Sequence, residues 1–366
     1  MSGPRTEVAG YRVGGRLDQR EDRLATRSRR APPAWQQEEK VATINDVARR
    51  AGVSTATVSR ALNGKSTVDP ALVTRVRAAA KELGYHPNGL ARNLRRQETA
   101  VLALIIADVE NPFFTAIARG VEDVAQAEGY SVVLCNSDES AEKERRYIDV
   151  ALQERVAGVI LSPTGATSNV ERLHERGTPV VAVDRPLPAG DQVLVDTRLA
   201  AREATNHLIA AGYRRIGCVT GPAGVRTAND RLAGYRDAIR AANRPELFRH
   251  GQYWAAGGKQ ATVELLAEPE PPDALLIANS AMAIGVLEAL SEAKLRLGRD
   301  IGVVTFDDAA WATLIDPPLT VVAQPAYEIG EQAAKLLFAR IGDPSPPPHT
   351  VTLAARLVTR GSTLRG

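Results

Sequence analysis

From Thr43 onward, apolar residues recur at helical spacing in short runs with marked ends. Thr43-Ile-Asn-Asp46 fits a capping box and predicts a helix over Ile44–Ala51. Gly52-Val53 reads as a tight turn, Ser54 as the cap of a second helix over Thr55–Leu62, and Asn63-Gly64 as its end. Asp69-Pro70 sets an N-cap before a proline at the first helical position, and a third helix runs on to Leu83. Val47, Ala48, Val53, Val58, Leu62, Val73, Val76, Ala80 and Leu83 fall at spacings that let three helices share one small core. Gly89–Arg96 is helix-compatible but has little apolar face, so it is expected to order only when docked.

After Thr99 short apolar runs alternate with helical stretches, the pattern of an α/β fold. Strands are predicted at Val101–Ala107, Ser131–Cys135, Gly158–Leu161, Pro179–Val183, Arg215–Thr220, Ala274–Ile277 and Gly302–Thr305. Helices are predicted at Pro112–Glu128, Glu142–Glu154, Asn169–Arg176, Leu199–Ala210, Leu232–Ala242, Gly257–Leu266 and Met282–Ala293. Two such cycles imply two parallel sheets facing a cleft, with ligands at the carboxyl ends of the strands. Residues 1–40 are rich in Arg, Gly, Pro and Glu, lack periodicity and read as a disordered basic arm. No Met separates Met1 from Met282, which leaves a start near Val41 as an alternative.

Charge sharpens this picture. Residues 41–98 carry 10 Lys/Arg against 4 Asp/Glu, whereas residues 99–366 carry 27 against 33. A basic front on an acidic body points to a polyanionic partner for the front. Cys135 and Cys218 sit in apolar stretches, so a reducing cytoplasm is expected rather than a disulfide framework. The N-terminus lacks the apolar middle of a signal peptide, and no run of about 18 apolar residues exists to span a membrane.

Two short helices joined by a tight turn are the geometry of a helix-turn-helix, whose second helix offers its first residues to base edges. Here these are Ser54, Thr55, Ala56, Thr57, Ser59 and Arg60. Arg60 can reach a guanine O6/N7 pair, and Thr55 and Ala56 can offer methyl groups to thymine. Thr43, Thr57, Ser59, Asn63 and Lys65 suit phosphates. On these residues alone, a helical adaptor with capping hydroxyls is equally open. The stretch from Ala42 to Gly64 (ATINDVARRAGVSTATVSRALNG) and that from Leu83 to Leu94 (LGYHPNGLARNL) resemble the headpiece of the LacI/GalR repressor family. The resemblance extends over residues 41–366. It implies that Thr55, Ala56 and Arg60 read bases and that Asn88–Leu94 is a hinge helix folding in the minor groove. Ala91 and Leu94 would meet the central base step, with Leu94 as the wedge. Two hinges meet only in a dimer, so a homodimer on a near-palindromic operator is implied, with a tetramer as the larger alternative.

In the body, Asn111-Pro-Phe-Phe114, Val183-Asp-Arg-Pro186, Arg231-Leu-Ala-Gly-Tyr235, Ala278-Asn279, Thr305-Phe-Asp-Asp308 and the stretch Pro317–Pro325 resemble the family's periplasmic-binding-protein-like core. The resemblance implies crossings between lobes near residues 197, 324 and 343. One lobe would hold about 99–197 and 325–342, the other about 198–323 and 343–366. Asp184, Arg185, Arg231, Asn279 and Asp307 are then polar groups for hydroxyls in a dry cleft. Phe113, Phe114, Tyr253 and Trp311 are flat faces for the apolar side of a ring. Duller readings stand beside these: Phe113 and Phe114 as helix-start packing, Asp184 with Arg185 as a surface ion pair, and Asp307-Asp308 as a cap. Ser280 and Thr305 depart from the family pattern, which has Asp and Gly there, so the ligand is not carried over from one relative. A pentose, hexose or sugar acid is expected, with a nucleobase as the alternative.

Two rival functions are weaker. The five histidines (His86, His174, His207, His250, His349) lack metal-ligand spacing, and no nucleophile elbow or P-loop appears. Gly221-Pro-Ala-Gly224 is too weak a pattern for a phosphate cradle. An enzyme is therefore not expected, and no cofactor or metal is implied. A periplasmic sugar-binding protein conflicts with the basic head. The expectation is a cytoplasmic DNA-binding repressor controlled by a small effector.

Overall fold

The computed structural model describes residues 42–62, 68–85, 99–165 and 169–365. They fall into two units, a head within residues 1–87 and a body within 88–366. The arm, Asn63, Lys65 and the hinge residues Asn88, Ala91 and Leu94 lie outside the described residues.

The head is three helices: α1 (Ile44–Ala51), α2 (Thr55–Leu62) and α3 (Pro70–Glu82). Thr43 Oγ1 accepts from the Asp46 amide at 3.4 Å, and Asp46 Oδ2 accepts from the Thr43 amide at 3.0 Å, completing the capping box. Gly52 ends α1 at φ +63°, a conformation that costs glycine nothing. Asp69 Oδ1 accepts from the Ala71 amide at 2.7 Å and starts α3. Eight-residue helices are marginal alone, so packing must hold them. Val47, Val58, Ala61 and Val76 are fully buried, and Val53, Leu62, Val73 and Leu83 close around them. Every residue expected in the small core lies in it.

The body begins with β1 (Val101–Ile106), α4 (Pro112–Ala127), β2 (Ser131–Asn136), α5 (Ala141–Gln153), β3 (Gly158–Leu161), α6 (Glu171–Glu175), β4 (Val180–Val183) and β5 (Asp191–Val195). A second cycle follows: α7 (Thr197–Ala210), β6 (Ile216–Thr220), α8 (Arg226–Ala241), β7 (Phe248–His250), α9 (Ala255–Leu266), β8 (Ala274–Ile277), α10 (Ser280–Glu292), β9 (Gly302–Phe306) and β10 (Thr320–Ala323). The chain ends with α11 (Ala326–Gly342), β11 (Thr350–Leu353) and β12 (Arg356–Val358).

Two six-stranded sheets result, ordered β11-β5-β4-β3-β1-β2 and β12-β10-β9-β8-β6-β7. All pairings are parallel except β10 with β12. The inner strands are buried on both faces, which explains their unbroken apolar runs. In β1, Leu102, Leu104 and Ile106 join the core under α4 and α11, whereas Ala103 and Ile105 join the core on the opposite face. The helix pair α4–α11 approaches through glycine. A Cβ on Gly120 would fall 2.2 Å from the Tyr327 carbonyl oxygen, and one on Gly330 would fall 2.1 Å from that of Ile117.

The chain passes between lobes at Asp196, at Gln324-Pro325 and between Leu353 and Arg356. The third passage corrects the expected position near residue 343. Arg340, near the end of α11, grips Asp191 at the start of β5 with two bonds of 2.7 and 2.9 Å. Asp191 Oδ1 also accepts from the His349 amide at 2.8 Å. These bonds steer the returning chain alongside β5, so β11 extends the first sheet before the chain leaves. Strands β5, β7, β10, β11 and β12 and helix α11 were not among the expected elements, and α8 starts at Arg226 rather than Leu232.

Candidate DNA-reading helix and interlobe cleft

In α2 the apolar side is spent on the head's core through Val58 and Ala61, both fully buried. Thr55, Ala56 and Arg60 are exposed on the other side, as is Ser54 just before the helix. Ser54 Oγ accepts from the Thr57 amide at 3.1 Å and lies 2.9 Å from Thr57 Oγ1. Two predicted phosphate or base ligands are thus also the cap of their own helix. Thr43 is likewise a capping residue and Ser59 is half-buried. Arg60 enters no ion pair with another described residue. From Val47 to Val68 the sequence contains no Asp or Glu, so α2 carries no charge that would repel phosphate.

The cleft is built from strand ends. Asp184 follows β4 and Asp307 follows β9, strands that hold equivalent places in the two sheets. Both residues adopt left-handed backbone, at φ +65° and +71°, and both are buried. Such backbone is uncommon for a residue other than glycine, and two equivalent instances facing one cleft make this a candidate functional site. Burial raises both carboxyl pKa values, opposed for Asp184 by Arg185 and Arg231 and for Asp307 by Arg231 and Gln324. Gln324 Nε2 donates to Asp307 Oδ1 at 2.7 Å from the second passage between lobes.

Two guanidinium groups face these acids. Arg185 donates from both terminal nitrogens to Glu139, at 2.6 and 2.5 Å, and its Nε lies 3.3 Å from Asp184 Oδ2. Burial opposes its charge, but the Glu139 bond and the neighbouring Asp184 outweigh that and hold it protonated. Its side chain and that of Asp184 are 5% and 6% exposed, which removes the surface-pair reading. Arg231, from α8, lies 4.3 Å above the Phe306 ring and donates to the Ala278 carbonyl.

Asn279 accepts from the Met282 amide at 2.8 Å, capping α10, and its Nδ2 donates to the Tyr253 carbonyl at 3.2 Å. Thr305 Oγ1 donates to the Asn279 carbonyl at 3.2 Å, which gives the departure at this position a supporting role. Tyr253 lies against Gly221, where a Cβ would fall 2.4 Å from the ring. This is the physical work of the glycine in Gly221-Pro-Ala-Gly224. Phe113 and Phe114 sit in the first turn of α4, edge to face at 5.1 Å, behind the Asn111 cap.

Eight of the nine expected cleft residues line one pocket. Trp311 does not: it packs, partly buried, on the core of the second lobe. It lies on a short 3-10 turn, Ala310–Thr313, beyond the strand end. Asp108, Asn111, Glu139, Thr227 and Gln324 complete the lining. Asn111 and Gln324 lie inside the motif stretches Asn111–Phe114 and Pro317–Pro325; nothing in the sequence around Glu139 marks it. Arg231 Nε, Ser280 Oγ and Gln324 Oε1 are buried without a hydrogen-bond partner. Such groups are costly, and polar partners supplied by a ligand would satisfy them.

Comparison with known proteins agrees with this geometry. Residues 43–88 match bacterial regulatory proteins of the lacI family, and residues 205–363 match a periplasmic binding protein-like domain. The ribose operon repressor of Escherichia coli (strain K12) is 38% identical over 329 residues, covering 88% of this chain and 100% of its own length. The solved lac repressor dimer, bound to operator and the anti-inducer ONPF, aligns with a TM-score of 0.80 at 28% identity, covering 89% of this chain and 100% of that one. A LacI family regulator from Enterococcus faecium with bound ribose aligns with a TM-score of 0.64 at 28% identity, covering 72% of this chain and 98% of its own. Among the described residues no helix is long and apolar enough to cross a membrane. A capped helix-turn-helix head and a two-lobed binding-protein body, with identity at this level over nearly the full length of a repressor, establish that the chain belongs to the lacI family of bacterial transcription regulators.

Proposed function

We propose that the protein is a cytoplasmic repressor that binds a near-palindromic operator as a homodimer and is controlled by a pentose of the ribose type held between its lobes. The observation that carries the ligand reading is the opposition of Asp184 and Asp307 across a pocket that also holds Arg231, Asn279 and Gln324. Carboxylates accept from vicinal hydroxyls, guanidinium and amide groups donate to them, and Phe113, Phe114 and Tyr253 cover the apolar edges of a small ring. A relative named for the ribose operon and a similar structure holding ribose support that choice.

On the DNA side, Thr55, Ala56 and Arg60 are assigned to base edges, and Thr43, Ser54, Thr57, Ser59, Asn63 and Lys65 to phosphates. Asn88, Ala91 and Leu94 are assigned to the hinge and minor groove. Ligand shifts the balance between lobe arrangements, and the hinges of the dimer carry that shift to the heads. Calorimetric titration of the full chain with D-ribose tests the ligand assignment. One site per protomer, abolished by Arg231→Ala, is expected. No heat with ribose, alongside clear binding of a nucleobase or hexose, would overturn it.

A further inference from the structure

We propose that Glu139 sets the charge class of the ligand: by committing Arg185, it makes the cleft take uncharged polyols and reject sugars that carry a phosphate or carboxylate. The proposal deepens the pentose reading above and rests on it.

An anion in a dry cleft needs a cation, or helix N–H groups, not already engaged. Arg185 has both terminal nitrogens on Glu139, and Nη1 also donates to the Pro163 carbonyl at 3.2 Å. Arg231 donates to the Ala278 carbonyl and is stacked on Phe306. Four carboxyl groups, of Asp108, Glu139, Asp184 and Asp307, line the same pocket. Protonated or ionised, none of them offers an anion a positive partner. Two helix ends at the pocket are capped as well. Asn111 Oδ1 holds the Phe113 amide at 3.0 Å, and Asn279 Oδ1 holds that of Met282 at 2.8 Å. Helix α8 has no side-chain cap, and the hydroxyl of Thr227 in its first turn lies 3.2 Å from Tyr253 Oη. The unpartnered Arg231 Nε and Gln324 Oε1 are one donor and one acceptor, which suits a hydroxyl and not a phosphate.

Glu139 is placed for this role at a cost. Its backbone is left-handed, at φ +56°, and its amide is fixed to the Ala107 carbonyl at 3.1 Å. A strained non-glycine residue whose carboxylate clamps a buried arginine fits a positioning and selecting role.

The test is calorimetry on the full chain with D-ribose, D-ribose 5-phosphate and D-ribonate, and with hexoses paired likewise with their phosphates. Wild type is expected to bind the charged member of the productive pair at least about 100-fold more weakly. Glu139→Gln, which keeps shape and loses charge, should narrow that gap about tenfold by freeing Arg185; Glu139→Asp should preserve the rejection. Charged and neutral members bound within tenfold of each other by wild type, or a gap unchanged in a folded Glu139→Gln variant, would overturn the proposal. If Glu139→Gln does not fold, Glu139→Ala read against the same pairs decides it, with an unchanged gap overturning the proposal. A hexose bound while its phosphate is refused would remove ribose and leave the charge rule standing. Failure of every neutral sugar would remove both.

Discussion

Asp307 pairs a proposed ligand position with a stability cost. Burial raises its pKa, so the folded protein binds a proton there more tightly than the unfolded chain does. Its contribution is therefore least harmful below the ordinary carboxylate range and becomes a penalty as pH rises through the raised value. Asp307→Asn removes the ionisation. The ligand-free variant is expected to melt about 2 °C or more above wild type at pH 7.5, with the gain vanishing around pH 4 and ribose binding lost. A variant melting below wild type at pH 7.5 would mean that Arg231's attraction outweighs burial. At this scale the sequence is informative where chemistry is concentrated in a short motif, as in Val183-Asp-Arg-Pro186 or Thr305-Phe-Asp-Asp308. It is silent on Glu139, whose partner Arg185 is 46 residues away, and on Trp311, whose ring suits stacking but packs on the core of the second lobe.

Helix α2 shows how one element serves two ends. Ser54 and Thr57 secure its first turn, while Thr55, Ala56 and Arg60 stay exposed. Asp caps a helix about as well as Ser, but it would set a carboxylate against phosphate. Ser54→Asp is thus expected to leave hydrogen exchange of the α1–α3 amides near wild type and to lower operator affinity at least about tenfold. Unchanged affinity would remove α2's first turn from the interface. Elements with polar caps and clear apolar periods, such as α1 to α3, were legible to within a residue or so. Those that escaped have physical reasons. Strands β5 and β7 are five and three residues long and carry Asp191, Gln192, Arg249 and His250. Helix α11 opens behind Pro325 with no side-chain cap, and the first turn of α8 is polar because it borders the cleft.

Across the whole chain, two sheets with the same strand order place equivalent acids, Asp184 and Asp307, on opposite walls of one cleft. Three chain passages link the lobes, and Gln324 at the second reaches into the pocket, so a ligand there touches both lobes and the link between them. The two-lobe plan was readable from alternating patterns, whereas the third passage was not, because it depends on Arg340 holding Asp191 across 149 residues. The head is basic and the body acidic, a division that fits the proposed roles of phosphate contact for one and ligand switching for the other. Fluorescence anisotropy of the full-length protein on a duplex selected from a random library, with and without saturating D-ribose, tests this division most directly. The account predicts that the selected duplex is bound at least about a thousandfold more tightly than random competitor, and that ribose shifts that affinity at least about fivefold. Equal binding of selected and random duplexes, with and without the sugar, would contradict it.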